Sequence, residues 1–366
     1  MNPPFRVLLV LLLSLLTPIQ IALADNLISV GVIASLTDEW AAMGESVVNG
    51  AQLVCYELNA ATANGSPRVQ LIVEDSKEAN SGAGAVTAYR SLRQRGIKFF
   101  LGPLGTPAGM SLAPIAAKDP VILITPTIGI PDFSEASPNL FNTHGVDEKA
   151  SRAMATIAIR TGWKHAAVLA SQQPWESAQG RAFRDEFERR GGTIVSYQEP
   201  LPDVNDFKGL VTKIIAARPE VVFLANFNRL AIASRQLAAL GYHGPKLAAL
   251  LTSTTVEQAG AALEGAIYAT VSGVSTAFED KYERRFGKKP EYGADASYDA
   301  LHLLFKALSE SVSPDPNKIA HVLSTLRTDK ASGEISFDGI RVAKRPLRIF
   351  EVKKGKISIR TGDNLN

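Results

Sequence analysis

The chain has 366 residues, with 39 Lys and Arg against 36 Asp and Glu, a formal net charge of +3, and 46% apolar residues. A balance this close, without a basic block, argues against a nucleic-acid partner. The single cysteine, Cys55, leaves no internal disulfide, so burial of apolar surface must carry the stability.

Residues 1–24 hold one early positive charge (Arg6), an apolar run over 7–16 and the ending Ala22-Leu23-Ala24. This is the pattern of a cleavable secretory signal, too short to span a bilayer comfortably. The mature chain is expected to start at Asp25 and to be exported. About 340 residues then remain, which suggests two domains.

Residues 27–35 read as a buried strand by their near-continuous apolar content. The polar turn 36–40 leads into a helix over 44–59, whose apolar stripe Val47, Val48, Ala51, Val54, Leu58 includes Cys55 as packing. A strand over 69–73 and a helix over 81–95, closed by Gly96, follow. The strand 99–101 runs into Gly102-Pro103-Leu104-Gly105-Thr106, and a short helix is expected over 111–117. In an open α/β sheet, ligands sit beyond the carboxyl ends of the strands, where small residues let them approach the backbone and a helix start offers free N–H groups. Gly105 and Thr106 are therefore expected to form part of one wall of a ligand cleft, the Thr106 hydroxyl meeting an anionic or carbonyl oxygen. A fourth strand, 121–124, enters a second turn of small and hydroxyl residues, Thr125 to Gly129.

After a helix start at Asp147-Glu148 the βα rhythm begins again. Strands are expected over 166–170, 193–197, 221–225, 246–250 and 267–271, with helices over 176–190, 207–217 and 230–240 between them. Such alternation predicts two doubly wound parallel-sheet units. Helices over 278–286 and 294–311 follow. The β-like stretches 333–338, 347–352 and 356–359 are too little for a domain and should complete sheets already begun.

The ordered series Val30-Gly31-Val32-Ile33-Ala34-Ser35-Leu36-Thr37, Gly44-Glu45-Ser46, Gly50-Ala51, Leu58-Asn59-Ala60, Val73-Glu74-Asp75, Phe100-Leu101-Gly102-Pro103, Ile124-Thr125-Pro126, Val204-Asn205-Asp206-Phe207, Val221-Val222-Phe223-Leu224 and Tyr298-Asp299-Ala300 resembles the periplasmic solute-binding proteins of ABC importers, of the branched-chain amino acid type. The resemblance spans residues 28–352. It implies a type I periplasmic binding fold: a first lobe of 25–145 plus 277–341, a second of 146–272 plus 345–362, and a three-strand hinge. It also implies hinge closure over a small-molecule ligand, delivery to ABC permease membrane subunits, a monomer, and no cofactor, metal or catalytic group.

By the same resemblance, a ligand carboxylate is held at Gly105-Thr106 and Thr127-Ile128-Gly129, walled by Trp40 and Met43 of the first βα loop, by Trp175 and by Phe227. Relatives that bind amino acids carry an acid after the strand 246–250 to pair with the ammonium. Here the stretch reads Leu250-Leu251-Thr252-Ser253-Thr254, with no acid before Glu257 and with Thr252 placed at the cleft. An unpaired buried ammonium is costly. The expected ligand is therefore a small apolar or aromatic organic acid or a neutral polar solute, or else a branched-chain amino acid-like solute whose ammonium Asp38 or Glu39 meets from the opposite wall. A ligand sensor of the same fold, controlling a membrane regulator, is the alternative. The scattered histidines show no metal-ligand spacing, and neither a nucleophile elbow nor a nucleotide loop is present.

Overall fold

The computed structural model describes residues 27–61, 68–79, 81–271 and 274–360. The expected leader, 1–24, lies outside them. The elements run β1 (Leu27–Ala34), α1 (Ala41–Ala61), β2 (Arg68–Asp75), α2 (Ala83–Gln94), β3 (Phe99–Leu101), α3 (Thr106–Ala116), β4 (Ile122–Thr125), α4 (Asp132–Glu135) and β5 (Leu140–Asn142). They continue α5 (Glu148–Arg160), β6 (His165–Leu169), α6 (Pro174–Arg189), β7 (Thr193–Gln198), α7 (Lys208–Ala216), β8 (Val221–Leu224), α8 (Leu230–Ala239), β9 (Lys246–Ala248), α9 (Ser253–Ala259) and β10 (Ile267–Thr270). The chain ends with α10 (Thr276–Phe286), α11 (Ala294–Glu310), α12 (Pro316–Thr325), β11 (Arg327–Asp329), β12 (Glu334–Phe337), β13 (Ala343–Lys344), β14 (Arg348–Lys353) and β15 (Lys356–Ile359).

Two large sheets organise the molecule. The first has the order β2-β1-β3-β4-β5, parallel throughout, and the second the order β15-β14-β10-β9-β8-β6-β7. Their central strands are apolar on both faces because helices cover both: Val30, Val32 and Ile33 of β1, and Val221, Val222 and Phe223 of β8, are fully buried. In α1, Val47, Ala51, Val54 and Cys55 are buried at helical spacing, against α11 and the first sheet. In the second lobe Phe183 stacks on Phe223, with ring centroids 4.2 Å apart.

The structure departs from the sequence reading in several places, among them the unexpected α4 and the unexpected β5 at the edge of the first sheet. Helix α3 begins at Thr106, earlier than expected, because Pro107 sits in the first turn, where its missing N–H costs nothing. The second sheet is mixed, since β14 and β15 pair antiparallel at its edge. β11, β12 and β13 form a small antiparallel sheet of their own instead of extending a large one. Helices α9 and α12 were not anticipated; side-chain caps from Thr252 and Asp315 start them.

The chain passes between the two layers after β5, after β10 and after β13. At these crossings, Arg345 donates to the Thr143 carbonyl (3.2 Å) and pairs with Asp295 (2.5 Å), both side chains almost fully buried. Such a pair holds register because either partner alone would be an uncompensated buried charge.

Candidate ligand-binding site

The loops at the carboxyl ends of the parallel strands of both sheets face one another across a cleft. Among the described residues, a cavity of about 50 Å³ lies there, bounded from the first sheet by Trp40, Met43, Leu104, Gly105, Thr106 and Thr127. Gln173, Trp175, Glu176, Phe227, Asn228 and Leu250 bound it from the second, with Tyr292 between. The sequence reading thus placed seven residues on one wall or the other: Trp40, Met43, Gly105, Thr106, Thr127, Trp175 and Phe227.

Thr106 is the first residue of α3. The cap position is Gly105 and no side chain caps the helix. The Thr106 hydroxyl has no hydrogen-bond partner among the described residues, although the residue is only 5% exposed. A hydroxyl that bonds no described residue and opens on the cleft, at the positive end of a helix, suits an anionic oxygen.

The rest of the predicted oxyanion cradle is used internally. Glu78, which the sequence reading missed, accepts from the backbone N–H of Leu104 and of Gly105, each at 3.1 Å, and from Ser76 Oγ at 2.8 Å. Burial pushes its carboxyl up to about 7. Thr127 Oγ donates to the Leu104 carbonyl at 2.7 Å and ties the two turns together. Ile128 is fully buried in the core, and its N–H points to Thr125 Oγ at 3.3 Å. Gly129 lies behind the wall: a Cβ there would sit 1.8 Å from Asp147 Oδ2 and 2.8 Å from Trp175 Nε1. Neither Ile128 nor Gly129 lines the cavity. The resemblance placed the whole turn at the ligand, but in this chain Ile128 anchors it from beneath, and Gly129 lets the Trp175–Asp147 bond pass.

Aromatic groups build the remaining walls. Trp175 packs edge-to-face on Phe227, with centroids 6.1 Å apart at 77°. Trp175 Nε1 donates to Asp147 Oδ2 at 2.8 Å, Asp147 Oδ1 lies 2.7 Å from His144 Nε2, and the Tyr292 hydroxyl lies 2.7 Å from that same nitrogen. This chain of bonds fixes two wall rings to the first crossing segment. Trp40 lies over Gly105, where a Cβ would come within 2.5 Å of its ring, so only glycine admits this close approach. Its Nε1 reaches across the cleft to Asn228 Oδ1 at 3.2 Å, and Arg229 pairs with Glu39 at 3.3 Å beside it. These contacts hold the lobes together in a closed arrangement.

Among the described residues, no Lys, Arg or His side chain lines the cavity, and Glu176 is its one carboxyl. Glu176 accepts from Asn228 N at 3.0 Å and from Ser171 Oγ, and burial raises its pKa. Asp38 is likewise engaged, with Ser35 Oγ and the Ala79 and Trp40 N–H groups. Thr252 caps α9 through the Thr255 N–H at 3.1 Å and lines two adjoining cavities, of about 100 and 350 Å³, instead of the one at Thr106. Tyr292, which borders all three, carried no signal in the sequence.

The profile of the periplasmic binding protein family matches residues 27–356. The chain is similar to Leu/Ile/Val-binding protein homolog 3 of Brucella melitensis, 30% identical over 203 residues that make 55% of each chain, so this match spans about half the length of that relative. A rhizobial Leu/Ile/Val-binding protein, BraC3 of Rhizobium johnstonii, is 26% identical over 56% of each chain. Leu/Ile/Val-binding protein homolog 2 of Brucella abortus is 25% identical over 346 residues, 90% of this chain and 91% of that one. Among solved structures, the leucine-binding protein LivK of Thermotoga maritima superposes with a TM-score of 0.83 at 23% identity, over 91% of this chain and 98% of that chain. A solute-binding protein of Rhodopseudomonas palustris, solved in complex with benzoate, gives 0.80 at 18% identity, over 91% and 95%. The chain belongs to the periplasmic binding protein family, with the type I fold of its branched-chain amino acid branch.

Proposed function

We propose that the protein is the exported substrate-binding component of an ABC importer and that its ligand is a small apolar or aromatic carboxylate. The lobes, 25–145 plus 277–341 and 146–272 plus 345–362, close on the ligand about the three crossings, and the closed form is what the permease subunits recognise. The observation that carries the ligand class is the pairing of an unpartnered Thr106 hydroxyl at the start of α3 with a wall of Trp40, Trp175 and Phe227. The one carboxyl on that wall is committed to Ser171 and Asn228, which leaves a zwitterion's ammonium without a free partner. The benzoate-bound and 4-hydroxybenzoate-bound neighbours, with TM-scores of 0.80 and 0.82, support this reading.

A branched-chain amino acid is the second reading, favoured by the names of the Brucella relatives. Titration calorimetry of the mature protein with benzoate, 4-hydroxybenzoate and leucine separates the two. Micromolar or tighter binding of an aromatic acid with no heat from leucine is expected. Tight leucine binding with none from the acids would overturn the carboxylate reading.

A further inference from the structure

Past the Thr106 cavity the cleft opens into a larger chamber of about 350 Å³, and Leu250 and Tyr292 border both spaces. Its floor is Tyr268 of β10 stacked on Phe350 of β14, with centroids 5.2 Å apart at 19°. Tyr268 is 5% exposed, yet its hydroxyl has no hydrogen-bond partner among the described residues. Arg348 borders the same chamber. Its Nη1 donates to the Val274 carbonyl at 2.8 Å, and it forms no ion pair among the described residues.

The acids around Arg348 are already engaged. Glu279 pairs with Lys289 at 2.7 Å, Asp295 pairs with Arg345 at 2.5 Å, and Glu291 accepts from Ser253. The chamber therefore presents an aromatic floor, a phenol with nothing to donate to, and a guanidinium with unused N–H groups. The remaining N–H groups of Arg348 and the Tyr268 hydroxyl form a donor set from which no described residue accepts. A second carboxylate is the group that answers it, since a planar guanidinium can grip both oxygens at once.

We propose that the ligand is a dicarboxylate with an apolar or aromatic spacer, one carboxylate at Thr106 and the other in the chamber at Arg348 and Tyr268. The proposal rests on the carboxylate reading above and adds a second anchoring point. Arg348 and Tyr268 become the residues that set specificity for length and for the distal charge.

The test is titration calorimetry of the mature protein with benzoate, terephthalate and 4-carboxycinnamate, on the parent and on the Arg348→Met and Tyr268→Phe variants. One of the dicarboxylates should bind with a stoichiometry of one and at least about tenfold more tightly than benzoate, the scale of a hydrogen bond to a charged group. Both variants should remove most of that advantage and leave benzoate within about twofold, since Tyr268→Phe keeps the stack on Phe350 and deletes only the hydroxyl. Dicarboxylates no tighter than benzoate, equal losses for all ligands in both variants, or two independent benzoate sites would each overturn the second anchor while leaving the first carboxylate site standing. Failure of every acid to bind would bring down the carboxylate reading and this inference with it.

Discussion

Replacing Thr106 with Val tests the site with little disturbance to the fold. The two side chains are nearly isosteric, the helix cap is Gly105, and the hydroxyl bonds to nothing in the protein. The unliganded protein should therefore keep its stability within about 0.5 kcal/mol, as for a substitution that removes no internal contact. In the closed cleft the same change takes a donor from a charged oxygen, a loss of about 1.5–3 kcal/mol, or roughly 10- to 150-fold in Kd. Thr106→Ser, which restores the oxygen, should recover most of the affinity. The measurements are calorimetric titration of the tightest acid and urea unfolding without ligand. An unchanged Kd would show that no ligand oxygen rests there. A stability loss near 2 kcal/mol with unchanged affinity would show that the hydroxyl serves the helix after all.

Glu78 should make stability depend on pH in a stated direction. Burial raises its pKa from 4.5 to about 7, so the folded state holds the proton more tightly than the unfolded chain. Its contribution is fully present below the unfolded value of 4.5 and is lost as pH rises through about 7, on the order of 3 kcal/mol in all. Urea unfolding at pH 5 and pH 8 should show the parent losing stability relative to Glu78→Gln, and parallel behaviour of the two proteins would refute the assignment. Cys55 is fully buried and its thiol is pushed up to about 12, so an aromatic disulfide reagent at pH 8 should react only as the protein unfolds. Rapid labelling of the native protein would mean that α1 opens locally.

The lobes were legible because their signals are local. Apolar runs bounded by glycine and polar turns mark β1, β3, β6 and β8 wherever helices cover both faces of a sheet. The crevice rule then led to Thr106 from one strand-turn-helix junction, while the aromatic loop residues Trp40, Trp175 and Phe227 came from the family resemblance. Thr127, Ile128 and Gly129 show where such reasoning stops. The turn was found, but which of its groups face outward depends on Leu104, Thr125 and Asp147, which come from other segments.

The order of residues along the chain determined the alternation of strands and helices, the buried stripe that holds Cys55 and the small-residue turn before α3, because each is set by periodicity and backbone sterics within a few residues. Only the tertiary structure decided that Glu78 occupies the N–H groups of Leu104 and Gly105, that Tyr292 joins His144 at the cleft, and that Arg348 and Tyr268 share a chamber. Those pairings bring together groups from distant parts of the chain. Burial leaves each polar atom to find whatever partner the packing of two lobes delivers, and no local pattern encodes which one that will be.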